Sequence, residues 1–479
     1  MPLPKPGHNS LFSNSLFIFI IRFFPSLANL LVMIWYSKHL PPALYGNYYH
    51  FWIQLNVIFP LACFGIHVLV ITYSQSFLLN LLRNIKTRYF VLYAFWVLAL
   101  SAVFALLQCS ALPVTFAIPF AFILCFSISA ILESFLIVFR NYAWLTVINI
   151  LYSAIYWLIH LYILKEGFSL QAVFTYLLIL TALRLGIYSG IVIGNMKRCE
   201  PVADTGIVDL AKIRSLWLHL GLYDVLQVLF SWVDKFIISI VLTASLSAIY
   251  YNGSQNIPFL PLLLSAAGSA VLMQLAAGQK DDENRNAIKL MNQSGRVLSS
   301  IVFPVFFFLL FFRYEFIVVI FTEKYIPAIP VFLMAILVLP VKAYSFTTVL
   351  QRMHKGAIIN TGAIADLMLA LALMYPLYKW LGLPGVALSF VISTYLQAAF
   401  YLYHAAKLLH TSPLKLIPYA NWLIKFIVFA SLFIIIHYAV NLYFTGKITL
   451  ILGAAAMVII TAVSLILELK MQRQDGGIK

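Results

Sequence analysis

The sequence predicts an all-α polytopic membrane protein of 14 spans, built as two six-helix lobes in parallel repeat with a C-terminal helix pair. Three observations predict it. Of 479 residues, 63% are hydrophobic and only 10% are charged, whereas soluble domains carry about 25% charged residues. Apolar runs of bilayer length recur along the whole chain, and a helix needs about 20 apolar residues to cross the hydrocarbon core. Finally, two stretches of the first half recur weakly in the second.

The spans fall near 16–37, 46–74, 89–109, 113–137, 144–164, 170–194, 216–243, 250–275, 298–321, 329–350, 358–378, 384–403, 422–444 and 448–467. Only "TGKI" separates the last two, which sets them apart as a hairpin. The first run is too long for a cleavable signal and contains Arg22, so it reads as a span. The repeat appears where the first span leaves the membrane as "LPPALYGNYYHFW" and the seventh as "SLSAIYYNGSQNIPF". Aligning Tyr45 with Tyr250 sets Asn29 opposite Asp234 and Arg22 opposite Gln227. Likewise "EGFSLQAVF" at the sixth span matches "LGLPGVALS" at the twelfth. The expected organisation is therefore a first lobe at 1–195, a cytoplasmic linker at 196–215, a second lobe at 216–405, and the hairpin with its tail at 406–479. Repeats of this kind place a substrate site where the lobes meet, near mid-bilayer.

Basic residues orient the chain. With the N-terminus in the cytoplasm, 20 of the 31 Lys and Arg fall inside, six lie within spans, and only Lys38, Lys165, Lys324, Lys379 and Lys447 fall outside. That asymmetry puts both termini in the cytoplasm. It also accounts for the net charge of +16 through topology and anionic lipid, so no nucleic-acid partner is implied. The outer loops are too short to form a domain, and no P-loop or CxxC motif occurs. The inner connections 195–215 and 276–297 are amphipathic, and helices on the inner membrane surface are expected there. Cys63, Cys109 and Cys125 read as small core hydrophobes, while Cys199 lies in a basic loop. No metal or cofactor set is visible.

Polar residues inside the spans carry the functional signal. A charge at mid-bilayer costs at least ~2.5 kcal/mol on insertion scales, so each needs a partner or a task. Arg22, Ser26 and Asn29 share one face of the first span, beside Pro25, which favours a kink. Asp224, Gln227, Ser231 and Asp234 share one face of the seventh. Arg184 lies halfway along the sixth span, Lys342 midway along the tenth and Asp366 in the inner half of the eleventh. Glu133 lies seven residues before Arg140 on one face of the fourth span, as an interfacial pair or a relay. Asp234 next to Lys235 reads as half of a structural ion pair or as a functional carboxylate. Arg313 and Glu315 are expected close to the outer surface, and Lys425 is expected to snorkel inward. Gly186, Gly190 and Gly194 form a GxxxGxxxG stripe suited to close helix packing. His50, His67, His160 and His437 sit in apolar sequence surroundings.

The stretch "RFFPSLANLLVMIWYSKHLPPALYGNYYHFWIQLNVIFPLACFGI" resembles the opening of polysaccharide (O-antigen-type) flippases of the multidrug/oligosaccharidyl-lipid/polysaccharide exporter superfamily. "WVDKFIISIVLTASLSAIYYNG" resembles their seventh-span exit, "KYIPAIPVF" their ninth-to-tenth loop, and "WLGLPGVALSFVIST" the start of their twelfth span. The resemblance implies two six-helix bundles around a central cavity, working by alternating access in the bacterial inner membrane. It implies as substrate an undecaprenyl-diphosphate-linked oligosaccharide moved from the inner to the outer leaflet. It also implies a coupling proton or sodium ion in antiport, with polysaccharide-assembly proteins as partners. On this reading Arg22, Arg184 and Lys342 receive the diphosphate, with Ser26, Asn29 and Gln227 completing the substrate face. Asp234, with Asp224, Asp366 and Glu133, forms the ion-coupling set. Two rivals are a drug or metabolite exporter of the same superfamily, disfavoured by the cationic face, and a membrane polysaccharide polymerase or ligase, for which a sizeable outer loop is expected.

Overall fold

A computed structural model describes residues 8–198, 210–255, 283–353 and 355–475. Two compact units emerge, residues 1–248 and 249–479, each all-helical among the described residues. The first unit contains α1 (His8–His39), α2 (Pro42–Cys63), α3 (Ile66–Thr72), α4 (Gln75–Asn84), α5 (Thr87–Ala111), α6 (Ala117–Val138), α7 (Tyr142–Glu166), α8 (Leu170–Arg198) and α9 (Leu210–Val241). α10 (Ala244–Gly253) crosses the boundary. The second unit contains α11 (Glu283–Phe311), α12 (Arg313–Phe321), α13 (Ile329–Ile336), α14 (Thr348–Arg352), α15 (Gly356–Leu381), α16 (Leu383–Leu408), α17 (Pro413–Leu416), α18 (Tyr419–Tyr443) and α19 (Lys447–Asp475).

Among the described residues, 11 helices are long and apolar enough to cross a membrane, or 12 if α2 and α3 form one span bent by 54°. The two expected spans outside that set have separate reasons. α9 is 32 residues long but carries Lys212, Arg214, Asp224, Asp234 and Lys235, which lower its hydropathy. Residues 256–275 of the eighth expected span lie outside the described residues.

α1 runs through Pro25 without a break. Several local expectations are revised. Residues 210–217 form the first turns of the long α9, and residues 283–297 the first half of α11, so neither stretch makes a separate surface helix. Residues 195–198 end α8, and residues 199–209 and 276–282, with Cys199, lie outside the described residues. Cys63 is buried and Cys125 half-buried, but Cys109 is exposed and donates its thiol to the Val114 carbonyl. The three glycines of the α8 stripe have no atom within 4 Å of where a Cβ would stand. They occupy the side of α8 opposite buried Tyr188, so the motif's small residues pack against nothing in the described structure.

The boundary between the units falls after α9. α9 and the start of α10 lie along α2 and α3, and small residues permit the approach. A Cβ on Gly46 would stand 1.9 Å from the Ala244 carbonyl oxygen, and one on Gly65 would stand 2.6 Å from the Gly221 Cα. Between these ends, the His50 ring is hydrogen-bonded to the backbone of Ser239. Two of the repeat's matched positions also behave alike. Gly167, between α7 and α8, has φ 104°, and Gly382, between α15 and α16, has φ 67°, a region that favours glycine. Gly385 then lets α16 turn directly against α15, since a Cβ there would meet the Leu377 carbonyl at 2.0 Å.

Candidate functional site

The helical periodicity that places Arg22, Ser26 and Asn29 on one face holds in α1, where all three are exposed. Ser26 Oγ donates to the Arg22 carbonyl at 2.8 Å, so its hydroxyl oxygen stays available as an acceptor. Arg184, on α8, is almost fully buried and lies in an aromatic box. Its guanidinium stands 4.3 Å from the Tyr152 ring centroid, 5.7 Å from that of Tyr188 and 5.8 Å from that of Phe126. The box is itself fixed, because the Tyr188 hydroxyl donates to Asn149 Oδ1 at 3.2 Å. The aromatic faces stabilise the cation, yet Arg184 Nε is buried without a hydrogen-bond partner. Glu133, half-buried on α6, feels the charges of Arg184 and Arg22.

The polar stripe of α9 divides in two. Asp234 and Lys235 are both buried and paired at 3.3 Å. Gln227 and Ser231 are exposed. Asp224 Oδ2 stands 3.8 Å from Nε2 of His67 on α3, and Arg22 also acts electrostatically on His67. Arg22, His67, Asp224, Glu133 and Arg184 all belong to the first unit, with His67 and Asp224 3.8 Å apart.

Lys342 and Asp366 belong to the second unit. The tenth span is not one helix: α13 ends at Ile336, a 3-10 turn covers Pro340–Ala343 and α14 begins at Thr348. Lys342 lies in that break, half-buried, the kind of discontinuity that frees backbone groups for a ligand in transporters. Asp366 is buried beside Ser393 of α16.

Sequence reasoning missed a second charged group, in the second unit. Glu468 on α19 is fully buried between Arg296, at 2.6 Å, and Lys425, at 2.8 Å. Lys425 also donates to Ser300 Oγ at 2.8 Å and to the Arg296 carbonyl at 2.6 Å. It is thus held inside the protein instead of snorkelling. Glu315 is likewise buried, 3.3 Å from His437 on α18. These contacts bind the last two spans to α11 and α12. His160 is also better furnished than its apolar sequence neighbours suggest, since Nε2 is 2.8 Å from the Tyr48 hydroxyl. Among the described residues, no group of three or more His, Cys, Asp and Glu could hold a metal ion.

The family model described as polysaccharide biosynthesis protein matches residues 72–330, more than half of the chain. No curated protein matches the sequence. Among solved structures, the lipid II flippase MurJ in an inward closed conformation is similar, with a TM-score of 0.60 and 16% identity over 96% of this chain and 99% of that one. An inward-facing multidrug resistance transporter of the MATE family, from the MOP superfamily, aligns with a TM-score of 0.49 and 14% identity over 83% of this chain and 98% of that one. The first comparison gives the fold, and the sequence match gives the family: the chain belongs to the polysaccharide biosynthesis protein family.

Proposed function

We propose that the protein is a flippase that carries an undecaprenyl-diphosphate-linked oligosaccharide from the inner to the outer leaflet of a bacterial inner membrane. One observation carries the reading: Arg184 is almost fully buried, with its Nε lacking a hydrogen-bond partner. A guanidinium at depth needs an anion. A lipid diphosphate supplies one, and guanidinium groups bind phosphate oxygens in a bidentate fork. The exposed Asn29 and Gln227 offer hydrogen bonds suited to sugar hydroxyls. The family's description as polysaccharide biosynthesis protein and a fold like that of a lipid II flippase both support this substrate class.

The experiment is deletion of the gene in its own host, followed by extraction of the lipid-linked intermediate. The reading expects a diphosphate-linked oligosaccharide to accumulate on the inner leaflet while its surface polymer disappears. Loss of a drug-efflux phenotype with normal surface polymer would replace this reading with that of a small-molecule exporter.

A further inference from the structure

The last carbonyls of a helix find no partner within it, and at the end of α2 aromatic side chains from two other helices take them. On α5, Trp96 Nε1 donates to the Leu61 carbonyl at 2.9 Å and the Tyr93 hydroxyl to that of Ala62 at 3.2 Å. On α9, Trp217 Nε1 donates to the Phe64 carbonyl at 2.7 Å. The starts of α5 and α9 are thereby fixed to one end of α2. Tryptophan and tyrosine collect at the membrane–water boundary, so these three rings mark its level on the side that the basic-residue bias makes cytoplasmic. Arg88 and Tyr89 precede Tyr93 by five and four residues, and Arg214 precedes Trp217 by three. At 1.5 Å per residue they stand about 5–8 Å beyond the rings, within the head-group layer. Lys86, Arg88 and Arg214 are exposed and form no ion pair among the described residues. Arg88 lies over the Tyr89 ring, 5.0 Å from its centroid, and donates to its hydroxyl oxygen at 3.2 Å. The Tyr89 O–H therefore stays free to donate. The charges of Lys86 and Arg214 are both felt at that hydroxyl, in keeping with their shared anchorage on α2. α4, which leads into this rim, buries Leu78, Leu79 and Leu81 within the protein. Its apolar side packs inward, which leaves the rim to meet the membrane by charge.

We propose that Lys86, Arg88, Tyr89 and Arg214 form a binding site for the head group of an anionic phospholipid, and that the bound lipid straps the start of α5 to that of α9. The site is separate from any transported substrate and does not depend on the flippase reading. Two guanidinium groups from different helices can each fork onto phosphate oxygens, Tyr89 adds a hydroxyl donor, and Lys86 adds a point charge. A phosphate between them cancels the mutual repulsion of three cations that the fold holds at one level. A zwitterionic lipid would bring its own ammonium into the same rim and is disfavoured. Phe95 follows Arg88 by seven residues, on the same face of α5 and about 10 Å deeper, and it is exposed. An acyl chain descending from a head group held at Arg88 runs alongside it.

The test uses the full chain with its four native cysteines replaced and a fluorophore on a cysteine at Phe95, or at Leu151 of α7 as a control, both exposed. Brominated phosphatidylglycerol or brominated phosphatidylcholine, diluted into phosphatidylcholine bilayers, quenches the fluorophore on contact. At Phe95, phosphatidylglycerol should reach half-quenching at a mole fraction about tenfold lower than phosphatidylcholine. Arg88→Ala and Arg214→Ala should each cut this preference by roughly fivefold, the usual effect of one basic residue at a membrane surface. At Leu151 the preference should be small and the same in both variants. The two substitutions lie on different helices, so failure of one to fold leaves the other to decide. A preference at Phe95 that survives in the folded arginine variants, or one of equal size at Leu151, would overturn the proposal. Undecaprenyl diphosphate added at the mole fraction of the phosphatidylglycerol should leave the quenching in place. Displacement at that level would also overturn the proposal and give the rim to the transported lipid.

Discussion

Gly65 and Gly221 meet backbone to backbone, so that a Cβ on Gly65 would lie 2.6 Å from both the Cα and the nitrogen of Gly221. This contact lets the bend between α2 and α3 press against α9 and brings His67 opposite Asp224. A methyl group at either position must force the helices apart. At Gly65 it must also accept φ of 68°.

Gly65→Ala and Gly221→Ala are therefore expected to destabilise the first unit by about 1–3 kcal/mol, the usual cost of overpacking. Gly186→Ala, where nothing lies within 4 Å, should be neutral. Thermal unfolding of the purified variants in one detergent checks this. Equal midpoints for all three would show that the corner is not tightly packed.

Arg22→Ala should lower affinity for a lipid diphosphate by about ten- to a hundredfold, since hydrogen bonds to charged groups contribute about 1.5–3 kcal/mol. Arg22→Lys should restore only part of it, because an ammonium lacks the planar fork. Direct binding of undecaprenyl diphosphate to the purified variants measures both. Wild-type affinity in Arg22→Ala would remove Arg22 from the substrate face.

Glu468→Gln leaves two cations facing a neutral amide at a fully buried position. Breaking a buried ion group from one side typically costs about 3–5 kcal/mol. We expect that loss to appear as release of the last two spans, seen as early proteolysis before α18. Adding Lys425→Met to Glu468→Gln should recover part of the stability. Unchanged proteolysis in Glu468→Gln would mean that apolar packing alone holds the hairpin.

With both termini inside, a cysteine at Lys447 should react with an impermeant maleimide from outside the cell and one at Lys355 should not. The basic-residue asymmetry sets this expectation. The reverse pattern would invert the topology.

Periodicity made the faces legible but not their partners. Arg22, Ser26 and Asn29 share a face because helical spacing dictates it, and the structure keeps that face exposed. The same spacing grouped Asp224 with Asp234. Tertiary packing gives Asp224 to His67, while Asp234 pairs with its chain neighbour Lys235. His67 was hidden because its role depends on the positive-φ corner at Phe64 and Gly65, which no periodicity announces. Glu468 was hidden for a different reason: it stands just past the last apolar run and reads as a tail charge until α19 is seen against α11. The glycine stripe of α8 shows the converse, a motif that names spacing but not the face it will meet.

The most direct test reconstitutes the purified protein in liposomes whose outer leaflet carries a fluorescent undecaprenyl-diphosphate-linked oligosaccharide, quenched from outside. Protein-dependent protection of the fluorophore should appear with wild type, fall strongly with Arg22→Ala and Arg184→Ala, and persist with Gly186→Ala. Protection at the protein-free rate with wild type, or wild-type protection in both arginine variants, would contradict the claim that these residues carry a lipid-linked diphosphate across the membrane.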